Sequence, residues 1–304
     1  MSDNKPNSLT TILFALVANG LIAVAKGVAA WITGSTSMLA EAAHSLADCG
    51  NQGLLLWGMR VSVRPASADY PLGQGRAIYF WSFIVALMLF SMGGMFSIYE
   101  GLHKIGASEP LESPWIAVGV LVFSLAAESV SMWKAMAQVN SVRGSQQSLW
   151  RWLRDTRQSE LLVVVGEDIA ATAGLAFALL AVAATMLTGN PVYDAIGSLA
   201  IGVLLLGVAV FVGIEVKALL VGQSTEPAQR EALLRFLNAR HEVAEVLNLI
   251  ALQNGADVVV AVKVRMREQV SAPALVAAIN SCERALRAQF PEVRWLFFEP
   301  DVEA

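Results

Sequence analysis

Apolar residues form long unbroken runs along the first two-thirds of the chain and short alternating runs along the last third. A helix needs about 20 mainly apolar residues to cross the hydrocarbon core of a bilayer. Six stretches meet that length, over 10–32, 37–59, 77–102, 113–136, 161–187 and 192–216. Gly34 to Thr36 predicts a tight turn between the first two, and Thr188-Gly-Asn-Pro191 another between the last two.

After residue 217 the pattern changes. Glu226 to Arg240 has helical periodicity, and Glu245–Ala251 and Val258–Val264 read as strands joined by a turn over Gln253–Asp257. Ala272 to Phe290 predicts a second helix and Arg294–Phe298 a third strand. The order α-β-β-α-β predicts a small α+β domain with helices on one face of a sheet. The expected architecture is therefore a membrane all-α domain of six transmembrane helices over 1–216, followed by an α+β domain over 217–304.

Composition strengthens this reading. Of 304 residues, 56% are hydrophobic and only 15% charged, against about 25% charged in an ordinary soluble domain. The formal net charge of -4 gives no reason to expect nucleic-acid binding. Cys49 and Cys282 stand far apart and form no disulfide or thiolate framework; Cys49 reads as a small buried residue. The start MSDNKPNSLTT lacks a basic region and a cleavage site, so no removable signal peptide is expected.

Charge in the connections predicts orientation. Arg60, Arg64 and Arg76 follow the second run, and Arg143, Arg151, Arg154 and Arg157 follow the fourth. The opposite turns carry little, with Lys104 the main exception. Positive loops face the cytoplasm, so both termini and the C-terminal domain are expected there, in the inner membrane if the source is bacterial.

Ionisable side chains inside a span cost at least about 2.5 kcal/mol each at the helix centre and mark functional sites. His44 and Asp48 are four residues apart, one turn along one helix face. An imidazole and a carboxylate so placed can reach one cation, and zinc takes this nitrogen–oxygen set in a tetrahedron. Asn51 continues the face, and Glu41 lies where it can orient the His44 ring or serve in the entry path. The fifth run carries Glu167 and Asp168. Neighbours point about 100° apart on a helix, so these two carboxylates are expected to serve different partners.

Weaker candidates have structural readings. Asp194 reads as a cap or hydrogen-bond acceptor, Glu128 as a partner of another helix or of Lys134, and Glu100 and His103 as snorkelling groups at a span end. Gly93-Gly94 and the stretch from Gly166 to Gly174 are expected to let helices approach closely. The glycine-rich link Tyr70-Pro-Leu-Gly-Gln-Gly-Arg76 lacks the Lys-Ser pair of a phosphate loop. With Tyr79-Phe-Trp81 it reads as a turn and an interfacial aromatic anchor.

The stretch Ser37-Met-Leu-Ala-Glu-Ala-Ala-His44-Ser-Leu-Ala-Asp48, the link Tyr70–Arg76 with Trp81, Glu167-Asp168, Asp194-Ala-Ile-Gly-Ser198 and the α+β tail resemble the cation diffusion facilitator family. The likeness is to its branch with His-Ser-Leu-Ala-Asp and a paired Glu-Asp. It implies a homodimer in a lipid bilayer that exchanges a divalent metal ion for protons, with a ferredoxin-like cytoplasmic domain. His44, Asp48 and Asp168 match the family's ligands. A further His or Asp four residues before the fifth-span Asp is replaced by Val164, which leaves Glu167, Asn51 or water as the fourth ligand. Zinc is the expected cargo, with manganese, iron or cobalt suited to the same oxygen-rich set. No catalytic residue and no resident cofactor are expected. The rival readings are a membrane metalloenzyme and a scaffold or regulator that keeps the fold without transport.

Overall fold

The computed structural model describes residues 8–33, 36–106, 114–144 and 147–303; within its helices, the side chains of 30, 33, 36–41, 43, 44, 106 and 114 lie outside the described set. The expected turn at Gly34–Thr36 falls largely outside it as well.

The helical part contains α1 (Ser8–Thr33), α2 (Thr36–Ser62), α3 (Ala77–Met88), α4 (Phe96–Gly106), α5 (Pro114–Val142), α6 (Leu149–Asp155), α7 (Ser159–Thr188) and α8 (Val192–Val221). A π-helical segment, Leu89–Met95, joins α3 to α4, so the third apolar run is one continuous rod with a wider turn inside it. Among the described residues, five of the rods, including the joined α3–α4, are long and apolar enough to cross a membrane. The 27-residue α2 matches them in length. Its Glu41, His44, Asp48 and Arg60 dilute its hydropathy, as a span carrying a polar site must show.

Sequence alone missed α6, which read as part of an arginine-bearing loop. Ser148 caps it by accepting the Arg151 N–H at 3.3 Å. Trp152 and Leu153 are buried, Trp150 stacks on Phe211 with ring centroids 5.1 Å apart, and Arg151 and Arg154 stay exposed.

Glycine brings the helices together. A Cβ on Gly202 of α8 would lie 2.8 Å from the Ile98 backbone nitrogen and 3.0 Å from the Gly94 carbonyl oxygen. One on Gly166 would lie 2.9 Å from Val212. Small residues at such seams let packing replace the hydrophobic drive that lipid removes. Toward the C-terminal domain, Leu55, Tyr79, Leu161, Val164, Val212 and Val216 join one buried apolar cluster.

The C-terminal domain contains α9 (Pro227–Asn238), β1 (Val243–Asn254), β2 (Asp257–Met266), α10 (Ala272–Gln289) and β3 (Val293–Pro300), in the expected α-β-β-α-β order. The sheet order is β1-β2-β3. β1 and β2 are antiparallel with Ala251 opposite Val260, and β2 and β3 are parallel with Val260 opposite Leu296. The parallel pair needs a crossover, which α10 supplies. Leu233, Leu237, Val260, Cys282 and Leu286 form the core. The β1–β2 turn is shorter than the sequence implied, only Gly255-Ala256, with Gly255 at φ 67°. That left-handed backbone favours glycine.

This turn docks on the helical domain. The Gly255 N–H donates to the Tyr79 hydroxyl at 2.9 Å, and that hydroxyl donates to the Gly255 carbonyl at 3.4 Å. Asn254 Nδ2 donates to the Leu72 carbonyl at 2.9 Å, and Arg157 Nε to the Ser224 carbonyl at 2.7 Å. The link before α3 is thus part of an interdomain joint. Tyr79, expected as an interfacial anchor, is fully buried instead, because its ring fills the apolar cluster and its hydroxyl finds two partners there.

Candidate metal site

The polar face of α2 turns inward. Asp48 is half-buried, and Asn51 and Gln52 are 4% and 0% exposed. Opposite them on α7, Glu167 and Asp168 are 6% and 2% exposed. The two neighbouring carboxylates diverge as helix geometry requires. Glu167 turns to α2, where Asn51 Nδ2 donates to its Oε1 at 3.2 Å and Gln52 Nε2 to its Oε2 at 2.7 Å. Asp168 turns to α5, where the Ser131 hydroxyl donates to its Oδ2 at 3.3 Å.

These links separate two tasks. Glu167 has both oxygens engaged by amide donors and ties α2 to α7. Asp168 has one oxygen engaged by a neutral hydroxyl, which leaves acceptor capacity for a cation.

One cavity of about 250 Å³ joins these groups. Asp48, Glu128, Glu167 and Asp168 line it, each more than two turns from the ends of its helix. From there it extends past Gly174 and Ala178 of α7 and Ile201 and Ser198 of α8, toward the α7–α8 turn. Glu100, Lys104 and Asp194 line its far end. Lys104 Nζ lies 3.1 Å from Glu100 and 3.0 Å from Asp194. Asp194 thus has an ion-pair partner and supplies no side-chain cap to α8, while Glu100 borders the cavity. In the other direction the buried cluster around Leu55, Tyr79 and Leu161 fills the space. The cavity therefore reaches the face away from the C-terminal domain.

Several expectations are refined. Val164, at the position of the departure from the family pattern, is 0% exposed inside the apolar cluster and offers no donor atom. Glu128 does not pair with Lys134, whose Nζ sits 4.1 Å from the centroid of the Phe14 ring. Glu128 is buried on the cavity wall, where Asp48 and Lys26 act on it electrostatically. Cys49 is half-buried rather than buried. Lys26 of α1 is 5% exposed and lines the same cavity. Sequence reading passed over it, although it is the only ionisable residue in the first apolar run.

His44 falls within α2, one turn before Asp48, but its side chain and that of Glu41 lie outside the described residues. Among the described residues, no three His, Cys, Asp or Glu side chains close on one point. The carboxylates share a cavity without yet forming a coordination sphere. A divalent cation drawn into it would meet oxygen donors from α2 and α7 together.

Residues 12–221 match the model of the cation efflux transmembrane domain. The mitochondrial proton-coupled zinc antiporter SLC30A9 of Xenopus laevis is 32% identical in an alignment covering all of this chain and 56% of that protein. Metal tolerance protein C4 of Arabidopsis thaliana is 32% identical over 77% of this chain and 51% of its own length. The cation-efflux pump FieF of Yersinia enterocolitica is 23% identical over 92% of this chain and 88% of its own. The chain spans about half the length of the SLC30A9 and C4 relatives it matches. With the family's transmembrane domain matched from α1 to α8 and carboxylates gathered in a cavity between these helices, this chain belongs to the cation efflux family, also known as the cation diffusion facilitators.

Proposed function

We propose that this chain transports a divalent transition-metal cation across a membrane, zinc foremost, in exchange for protons. The observation that carries this reading is the one-sided cavity, with Asp48 and Asp168 on its wall and an apolar plug toward the C-terminal domain. A carrier needs a mid-membrane site that is reachable from one side while the other is closed. The zinc antiporters and the cation-efflux pump among the relatives support the same activity.

His44, Asp48 and Asp168 are the proposed ligands. Glu167 and Asn51, held to each other, set the spacing of α2 and α7, and one of them or water is the proposed fourth ligand. Metal binding requires a neutral imidazole and ionised carboxylates, so metal and protons compete for the same atoms. That competition supplies exchange without a separate relay. Alternating access follows if the helices shift the plug to the other side of Asp48 and Asp168. The proposed assembly is a homodimer with both termini in the cytoplasm. A transporter family leaves no role for the metalloenzyme alternative.

The test is metal-resolved flux in proteoliposomes, comparing zinc with manganese, iron and cobalt. Zinc flux is expected to respond to an imposed pH gradient and to disappear in Asp48→Ala and Asp168→Ala. Purified protein that binds no metal would instead favour a non-transporting scaffold.

A further inference from the structure

Lys26 and Glu128 stand outside the proposed ligand set, on α1 and α5, yet both line the cavity that holds Asp48 and Asp168. Each is 5% exposed. Burying an ammonium inside a span is costly and needs compensation close by. The same cavity is lined by Asp48, Glu128, Glu167 and Asp168, while Glu100 and Asp194 at its far end are already paired with Lys104. Glu167 is satisfied by two amides and Asp168 by a hydroxyl, while Glu128 lies in the electrostatic field of both Lys26 and Asp48.

We propose that Lys26 is a tethered counter-cation of the transport site, balancing Glu128 and the ligand carboxylates while the site is empty and opposing the metal once it is bound. The inference rests on the transport reading above and adds what sets affinity. A carrier must hold its ion tightly enough to take it up and loosely enough to release it. Four buried carboxylates with no cation nearer than Lys104 at the far end would trap a divalent ion. A fixed positive charge on the cavity wall raises the free energy of the loaded state and, by reciprocity, bound metal disfavours the charged ammonium there. Glu128 acts in the opposite sense by adding negative charge. Neither residue needs to touch the metal, so both are affinity-setting rather than ligating residues.

Zinc binding to the full chain in lipid nanodiscs, read with a competing fluorescent chelator, tests this alongside zinc turnover in liposomes. Lys26→Met is expected to tighten zinc binding about tenfold, as loss of one nearby like charge should, while slowing turnover. Glu128→Gln is expected to weaken binding by about the same factor. The double variant K26M/E128Q should return to within about threefold of the parent, because the two charges are removed together. Lys26→Arg should track the parent. A purely structural role would instead lower affinity and turnover together. Folded Lys26→Met with unchanged or weaker zinc binding overturns the proposal. If Lys26→Met does not fold, the charge-neutral double variant decides, and loss of its zinc binding overturns the proposal. Asp48→Ala measured in parallel separates the two readings: parent-like binding there would sink the transport site itself, whereas lost binding there with no tightening in Lys26→Met sinks only the role of Lys26.

Discussion

Gln52 donates to the Glu167 carboxylate at 2.7 Å, across the boundary between α2 and α7. Both side chains are buried, and Asn51 occupies the other oxygen of the same carboxylate. Buried charge-assisted hydrogen bonds are among the strongest side-chain contacts, contributing about 1.5–3 kcal/mol each. The two helices that bear the proposed ligands are thereby held at a fixed spacing beside the site.

Glu167→Ala should release that tie and leave two buried amides without their acceptor. The expected loss is about 2–4 kcal/mol of stability, seen as a lower thermal midpoint in detergent, with zinc flux reduced. Glu167→Gln keeps an acceptor and should lose less. Equal midpoints for Glu167→Ala and the parent would contradict the role given to Glu167.

Tyr79→Phe removes the hydroxyl that both accepts from and donates to Gly255. It should leave the helical domain folded but loosen the docked hairpin, at about 1–2 kcal/mol. Hydrogen exchange at residues 254–256 should accelerate, while amides in the centre of β2 stay protected. Unchanged exchange at the turn would show that the joint is held elsewhere.

Gly202→Ala places a methyl group 2.8 Å from the Ile98 backbone nitrogen. Backbone cannot swing aside as a side chain can, so the α4–α8 seam must part. Overpacking of this kind costs about 1–3 kcal/mol. Gly207, with open space around its Cβ direction, is the control, and Gly207→Ala should leave the thermal midpoint near that of the parent. Equal midpoints for the two variants would contradict the packing described.

In the C-terminal domain, burial pushes the Glu242 carboxyl up, but the Arg240 guanidinium, 2.6 Å from Oε1 and 3.1 Å from Oε2, overrides this and holds it down at about 2. A carboxyl depressed in the folded state contributes stability that is fully present above its ordinary value of 4.5 and is lost as pH falls toward about 2. The parent should therefore lose stability across that window more steeply than Glu242→Gln, measured by circular dichroism of the intact protein. Superimposable acid profiles would refute the assignment.

What the sequence revealed follows the range of the forces involved. The six apolar runs and the α-β-β-α-β tail are local patterns, and they emerged as helices and strands with ends shifted by a few residues. The divergence of Glu167 and Asp168 was legible from helix geometry alone. The seven-residue α6 was not, because it is too short for periodicity and lies among arginines. Tyr79 and Gly255 are 176 positions apart, and nothing near Tyr79 signals its partner. Lys26 and Glu128 were visible as charges inside apolar runs, but only the packing of α1 and α5 reveals that they border one cavity with Asp48.

Transport by this chain requires Asp48 and Asp168 to bind one ion together. Zinc flux into proteoliposomes carrying the parent, Asp48→Ala or Asp168→Ala, at matched protein content and with an imposed pH gradient, tests this most directly. Robust flux is expected in the parent and background flux in both variants. Parent-level flux in either variant would contradict that requirement.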